Sequence, residues 1–236
     1  MTPPLVIPPY LKQAPLTGLI GMGGGATSRH FYTASSSDSY QIGKSVRFND
    51  DDAPYLTRNP KTSNRRKFTI ATWYKFSRVK NAWYHGTGQG SADWFIIGCE
   101  DSDGNLTVKN KGGSDNMHLK TTQVFRDFSA WYHVVVAIDT TQDTAADRAK
   151  IYINGRQVTS FETETYPAQH LELSHNRGDK NYDIGRQGTW GSQYHYDGLL
   201  ADYIHIDGLQ LSPASFGSFD STGVWNPKAF GLPASN

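Results

Sequence analysis

From Tyr40 onward the chain alternates short apolar runs with clusters of turn-forming residues, and no stretch keeps a helical period. The pattern predicts strands at Ser45–Phe48, Phe68–Phe76, Trp94–Cys99, Leu106–Lys109, Met117–Thr121, Trp131–Ile138, Lys150–Ile153, Arg156–Phe161, Tyr182–Ile184 and Gly198–Ile206. Turns are predicted between them, notably at Asn49–Pro54, Asp101–Gly104 and Lys111–Asp115. A single helical turn at Pro213–Phe216, after Ser212, is the one helical signal. Many short strands punctuated in this way predict an all-β fold, a sandwich or jelly roll.

The clearest local signal runs from Trp131 to Phe161. Trp131-Tyr-His-Val-Val-Val-Ala-Ile-Asp139 carries apolar residues on both faces, as a central strand buried between two layers requires. After a polar connection the chain resumes at Lys150-Ile-Tyr-Ile-Asn154-Gly155-Arg-Gln-Val158, where Asn-Gly supplies the positive φ angles of a type I′ turn.

Residues 1–38 differ in character. Pro3, Pro4, Pro8, Pro9 and Pro15 are followed by Gly18-Leu-Ile-Gly-Met-Gly-Gly-Gly25 and then Ser35-Ser-Ser-Asp38. Prolines remove donors and glycines loosen the chain, so this segment is expected to form an extended arm without a core of its own. Leu5, Val6, Ile7, Tyr10 and Leu11 are the residues it would bury on a neighbouring molecule. The glycine run lacks the lysine–serine ending of a phosphate loop and has no strand and helix around it. The expected division is an arm over 1–38, a sandwich over 39–215 and a C-terminal extension over 216–236.

Composition narrows the partners. With 236 residues the chain suffices for one large sandwich, and its 23 basic and 22 acidic residues leave a formal charge of +1. No field of that size draws a protein to nucleic acid or an anionic membrane. Cys99 is the single cysteine and sits in an apolar run, so it is expected to be a buried thiol rather than half of a disulfide. Met1 is followed by neither a basic segment nor a long apolar run, so no secretory signal or spanning helix is expected.

The aromatic-led strand with its "YINGRQV" hairpin, the upstream Phe68-Thr-Ile-Ala-Thr-Trp73 and the downstream Tyr196-Asp-Gly198-Leu-Leu-Ala-Asp202-Tyr-Ile-His-Ile206 together resemble the laminin-G and concanavalin A-like β-sandwiches. Four longer phrases, at 45–60, 119–158, 196–217 and "TGVWNPK" at 222–228, are similar to laminin-G-like virion proteins of tailed bacteriophages. That resemblance spans roughly residues 40–230 and implies a concanavalin A-like jelly-roll sandwich with an N-terminal arm. It also implies a structural protein of the virion, first of all a capsid decoration or cement protein fastened by its arm to the major capsid protein or a tail protein. A homo-oligomer, for instance a trimer, would fit such a role. The alternatives are a tail-associated adhesin that binds a host surface glycan, and a non-viral lectin. Fold alone does not choose among them.

A glucanase of this fold needs carboxylates about 5 to 9 Å apart. Neither Glu162 and Glu164 nor the series Asp197, Asp202, Asp207 has the spacing for it, so no catalytic residue is expected. Calcium is the ion the resemblance implies, and Asp50, Asp51 and Asp52 form the acidic loop that would hold it; no other cofactor is expected. The eight histidines show no zinc-ligand spacing, and His133 and His205, inside strands, read as hydrogen-bonded structural residues. For a glycan the candidate is the loop Thr189–Tyr196, with Trp190, Tyr194 and His195, and a second aromatic group at Trp83-Tyr84-His85 and Trp94.

Overall fold

The computed structural model describes residues 40–88, 92–187 and 194–231, which all fall in one unit spanning 39–236. The arm residues Leu5, Val6, Ile7, Tyr10 and Leu11, and Trp190, lie outside the described residues.

Two antiparallel sheets are stacked. The six-stranded sheet is built from β1 (Val46–Phe48), β3 (Lys67–Phe76), β8 (Tyr132–Asp139), β9 (Ala149–Ile153), β10 (Arg156–Gln157) and β13 (Gly198–Asp207), in the order β1-β13-β3-β8-β9-β10. The seven-stranded sheet contains β2 (Leu56–Arg58), β4 (Ala82–Gly88), β5 (Asp93–Cys99), β6 (Asn105–Gly112), β7 (Ser114–Val124), β11 (Phe161–Thr165) and β12 (Tyr182–Ile184), in the order β11-β7-β6-β5-β4-β12-β2. A small hairpin of β14 (Gly217–Phe219) and β15 (Trp225–Pro227) follows.

Alternation along the strands sorts the residues. On β3, Phe68, Ile70, Tyr74 and Phe76 join Val134, Val136, Ile138 and Ile151 in the space between the sheets. Phe95, Ile97, Cys99, Leu106, Val108, Met117 and Leu119 meet them from the other sheet. Cys99 is fully buried, and burial pushes its thiol up to about 12, so it stays protonated and inert.

The Asn154–Gly155 turn has both φ angles positive, at 47° and 78°, as a type I′ hairpin needs. The strand after it is shorter than the sequence pattern suggests. β10 ends at Gln157, and the chain then crosses to the other sheet, where β11 pairs with β7. Val158 and Phe161, on either side of that crossing, both pack against the core, so the run of apolar residues did not register the change of sheet. Strands β2, β4, β14 and β15 are additions to the sequence reading. β4, Ala-Trp-Tyr-His-Gly-Thr-Gly, is buried along its whole length and carries two glycines, which weaken any strand propensity.

The segment after residue 212 forms a partial third layer. Pro213–Ser215 makes the single turn anticipated after Ser212, although Ser212 makes no side-chain cap. Phe216 then buries Ala71, Val135 and Ile206 on the outer face of the six-stranded sheet, with Phe230 stacked on it at 5.2 Å. Trp225 lies over the hairpin turn and donates its Nε1–H to His133 Nδ1 at 3.1 Å. A Cβ at Gly155 would stand 2.3 Å from the Trp225 ring, so glycine there serves the close approach as well as the turn.

Candidate functional site

The outer face of the seven-stranded sheet gathers aromatic side chains that are distant in sequence. β5 alternates Trp94 and Ile96 outward with Phe95 and Ile97 inward. A register shift in β4 between Trp83 and His85 leaves Trp83 on this outer face while Tyr84 and His85 are fully buried. Trp83 lies against Gly98 of β5, where any Cβ would fall 2.7 Å from the Trp83 Cα. Tyr194 completes the group, brought in because His195 pairs its backbone with Trp83.

These residues wall a cavity of about 150 Å³ together with Asn81, Gln187, Glu100 and Lys109. The Lys109 ammonium sits 5.7 Å from the centre of the Trp94 ring, a cation–π contact, and bonds Glu100 at 2.9 Å. His118, 2.8 Å from Glu100, and Lys109 together hold the Glu100 carboxyl down at about 2 against the opposing effect of burial, so it is ionised at neutral pH.

Among the described residues, three buried polar atoms on residues lining this cavity have no partner: Asn81 Oδ1, Trp94 Nε1 and Gln187 Nε2. Buried polar atoms are nearly always satisfied, and leaving one unpaired costs about 1–3 kcal/mol. One acceptor and two donors beside flat aromatic faces is the chemistry that recognises a ring with both hydroxyl groups and an apolar face.

The other sequence candidates are distributed differently. Tyr194 is at the cavity, whereas His195 is buried behind it, 3% exposed, and hydrogen-bonded to the Pro54 carbonyl. Tyr196 is a core residue whose hydroxyl donates to the Lys75 carbonyl at 2.9 Å. Asp50, Asp51 and Asp52 form one tight helical turn; Asp50 is engaged by Arg78 and Lys80, and Asp52 accepts from the Asn49 amide at 2.7 Å. Among the described residues no three His, Cys, Asp or Glu side chains are grouped as a metal site needs. Glu162 pairs with Lys120, Glu164 accepts from Tyr166, and Asp197, Asp202 and Asp207 serve three separate contacts, with Arg47, Tyr40 and Asn176. Among the described residues, no helix is long and apolar enough to cross a membrane. Asn81 and Gln187 escaped the sequence reading, since lone amides in connecting segments carry no pattern of their own.

Residues 48–208, more than half of the chain, match the model of the concanavalin A-like lectin/glucanases superfamily. The chain belongs to that superfamily. Among solved structures it is similar to domain 4 of AbnA, a GH43 extracellular arabinanase from Geobacillus stearothermophilus in complex with arabinotriose, with 16% identity, a TM-score of 0.52 and coverage of 75% of this chain and 76% of that one. The LG1-3 region of the laminin alpha2 chain is similar at 16% identity and TM-score 0.50, over 75% of this chain and 37% of that one. Tailspike protein 2 from Escherichia coli O157:H7 bacteriophage CAB120 is similar at 14% identity and TM-score 0.45, over 72% and 23%. Likeness at these identities establishes the fold alone. No curated protein sequence matches this one.

Proposed function

We propose that this domain is a non-enzymatic carbohydrate-binding module whose site is the aromatic cavity on the outer face of the seven-stranded sheet. The observation that carries the reading is a cavity walled by Trp83, Trp94 and Tyr194 in which three lining residues, Asn81, Trp94 and Gln187, each hold a buried polar atom without a partner among the described residues. A sugar ring would stack on an aromatic face and satisfy Asn81, Trp94 and Gln187 with its hydroxyls. The solved arabinotriose complex of AbnA domain 4 supports the idea that this fold is suited to such ligands. Binding without cleavage fits the pairing of Glu162 and Glu164 with structural partners.

In a glycan-array experiment the wild-type protein is expected to retain at least one saccharide class. The double variant Asn81→Ala, Gln187→Ala is expected to bind it at least about tenfold more weakly, the effect of roughly 1.4 kcal/mol from lost hydrogen bonds. Its melting temperature should match the wild type. A wild-type protein that retains no saccharide, or a double variant that binds equally well, refutes the assignment.

The similarity of four phrases to tailed-phage virion proteins favours a setting for the module: the surface of a virus particle, where it acts as a host adhesin or as a decoration protein held by its arm. Many copies on a lattice would turn a weak single-site affinity into firm attachment. Deleting residues 2–30 is expected to leave a folded domain that no longer joins particles. Normal incorporation of the truncated protein, measured by mass spectrometry of purified virions, would remove the arm from the attachment.

A further inference from the structure

A second cavity, of about 310 Å³, opens where β2 and β12 at the edge of the seven-stranded sheet face β13 of the other sheet. Leu56 and Ile184 line part of it, but Arg58, Tyr182, Tyr203 and His205 supply the remainder. The interior behind these residues is polar where the rest of the sandwich is apolar. Tyr182 and Tyr203 join hydroxyl to hydroxyl at 2.9 Å, and Tyr203 Oη meets His85 Nδ1 at 2.9 Å. His205 Nε2 meets His175 Nε2 at 3.0 Å.

Each chain of hydrogen bonds ends inward on a nitrogen with no partner among the described residues, His85 Nε2 and His175 Nδ1, both on fully buried residues. A buried N–H without an acceptor is rarer than a lone pair without a donor, so each of these nitrogens is best left bare and the proton placed on the other ring nitrogen. That choice fixes the direction of both chains. His85 Nδ1–H donates to Tyr203 and Tyr203 donates to Tyr182, so the Tyr182 hydroxyl proton is not used within the chain. His175 Nε2–H donates to His205 Nε2, which places the His205 proton on Nδ1.

Arg58 adds a charge to the same place. It is exposed, its guanidinium stands 5.8 Å from the centre of the Tyr182 ring, and among the described residues it has no carboxylate partner. Six other arginines, by contrast, are ion-paired with aspartate or glutamate. Of the nearby acids, Asp183 binds Arg186 at 3.0 Å through Oδ2, its Oδ1 having no partner among the described residues, and Asp207 accepts from the Asn64 backbone and Asn176.

We infer that this cavity binds the oxyanion group of a small acidic ligand, a carboxylate or a sulfate. Arg58 supplies the charge, and Tyr182 Oη–H and His205 Nδ1–H supply directed hydrogen bonds. The hydroxyl of Tyr182 is a dependable donor because burial pushes it well above its ordinary titration range. This site is separate from the aromatic cavity on the other face.

The test is calorimetric titration of the full chain with sodium sulfate, with glucuronate and with glucose in a chloride buffer, alongside the His205 Cε1–H resonance. Sulfate and glucuronate are expected to bind and shift that resonance, and glucose to leave it unmoved. Arg58→Ala, on an exposed edge strand, should weaken acidic ligands at least about tenfold. Tyr182→Phe should weaken them several-fold. Binding of glucuronate alone assigns the cavity to an acidic sugar, and binding of sulfate alone to a free oxyanion. If neither ligand moves the His205 resonance, or if Arg58→Ala binds both as tightly as the wild type, the inference is overturned.

Discussion

Acidification from pH 7 to pH 4.5 is expected to cost this domain several kcal/mol, before most of its carboxylates titrate. Burial lowers His85 and His175 well below the ordinary histidine range and takes His133 and His205 down to about 4. In the unfolded chain all four would take up protons near pH 6.5. Between about pH 6.5 and 4 the unfolded state therefore binds more protons than the folded one. The sign follows: the contribution is intact above about pH 6.5 and declines as pH falls through that window, by up to about 1.4 kcal/mol per pH unit for each histidine. Glu100, held at about 2, adds its own loss only at lower pH. Urea denaturation at pH 7.5, 6 and 5 should show the midpoint falling at each step. His205→Gln, which keeps a hydrogen-bonding side chain without the titration, should reduce the slope by about one proton. A midpoint constant from pH 7.5 to 5 would show that these imidazoles are not desolvated as described.

Replacing Gly155 by alanine is expected to destabilise the domain by about 2–4 kcal/mol, combining strain at a positive φ with a clash. The new methyl would fall 2.3 Å from the Trp225 ring, which would then have to leave its hydrogen bond to His133. Gly113 isolates the two effects, since its φ is also positive, at 75°, yet nothing lies within 4 Å of its Cβ position. Gly113→Ala should cost only about 1 kcal/mol, the strain alone. Trp225→Ala should approach the cost of Gly155→Ala, and the Gly155→Ala, Trp225→Ala pair should be clearly less than additive in thermal or urea denaturation. Full additivity would mean that the hairpin turn and the C-terminal segment are energetically independent.

That coupling shows how much of the fold could be read from sequence. The Asn154–Gly155 turn and the apolar run of β8 specify a register locally, and both are seen as expected. The contact that joins this turn to Trp225 spans some 70 residues and leaves no local pattern, so residues 216–236 read as an extension although Phe216 and Trp225 pack on the sheet. The crossing after Gln157 was hidden for a related reason, since Val158 and Phe161 bury against the one core that both sheets share. At the candidate site, Trp83, Trp94 and Tyr194 were recognisable as aromatic residues in two separate groups. Their convergence depends on the β4–β5 register, and Tyr84 and Tyr196 from the same stretches go to the core instead. Asn81 and Gln187, which turn an apolar patch into a polar pocket, became visible only through the atoms they leave unpaired. The histidine and tyrosine chains behind Arg58 join three separate strands and the segment holding His175, an assembly that no spacing rule describes.

On the proposed reading Trp94 faces a bound saccharide through an indole N–H that has no partner among the described residues. The decisive measurement is the indole N–H resonance of Trp94, assigned with Trp94→Phe, during titration with a saccharide retained on the array. This resonance is expected to move with saturation, and Asn81→Ala with Gln187→Ala to raise the concentration needed. A saccharide that binds while the Trp94 indole resonance stays fixed would contradict it.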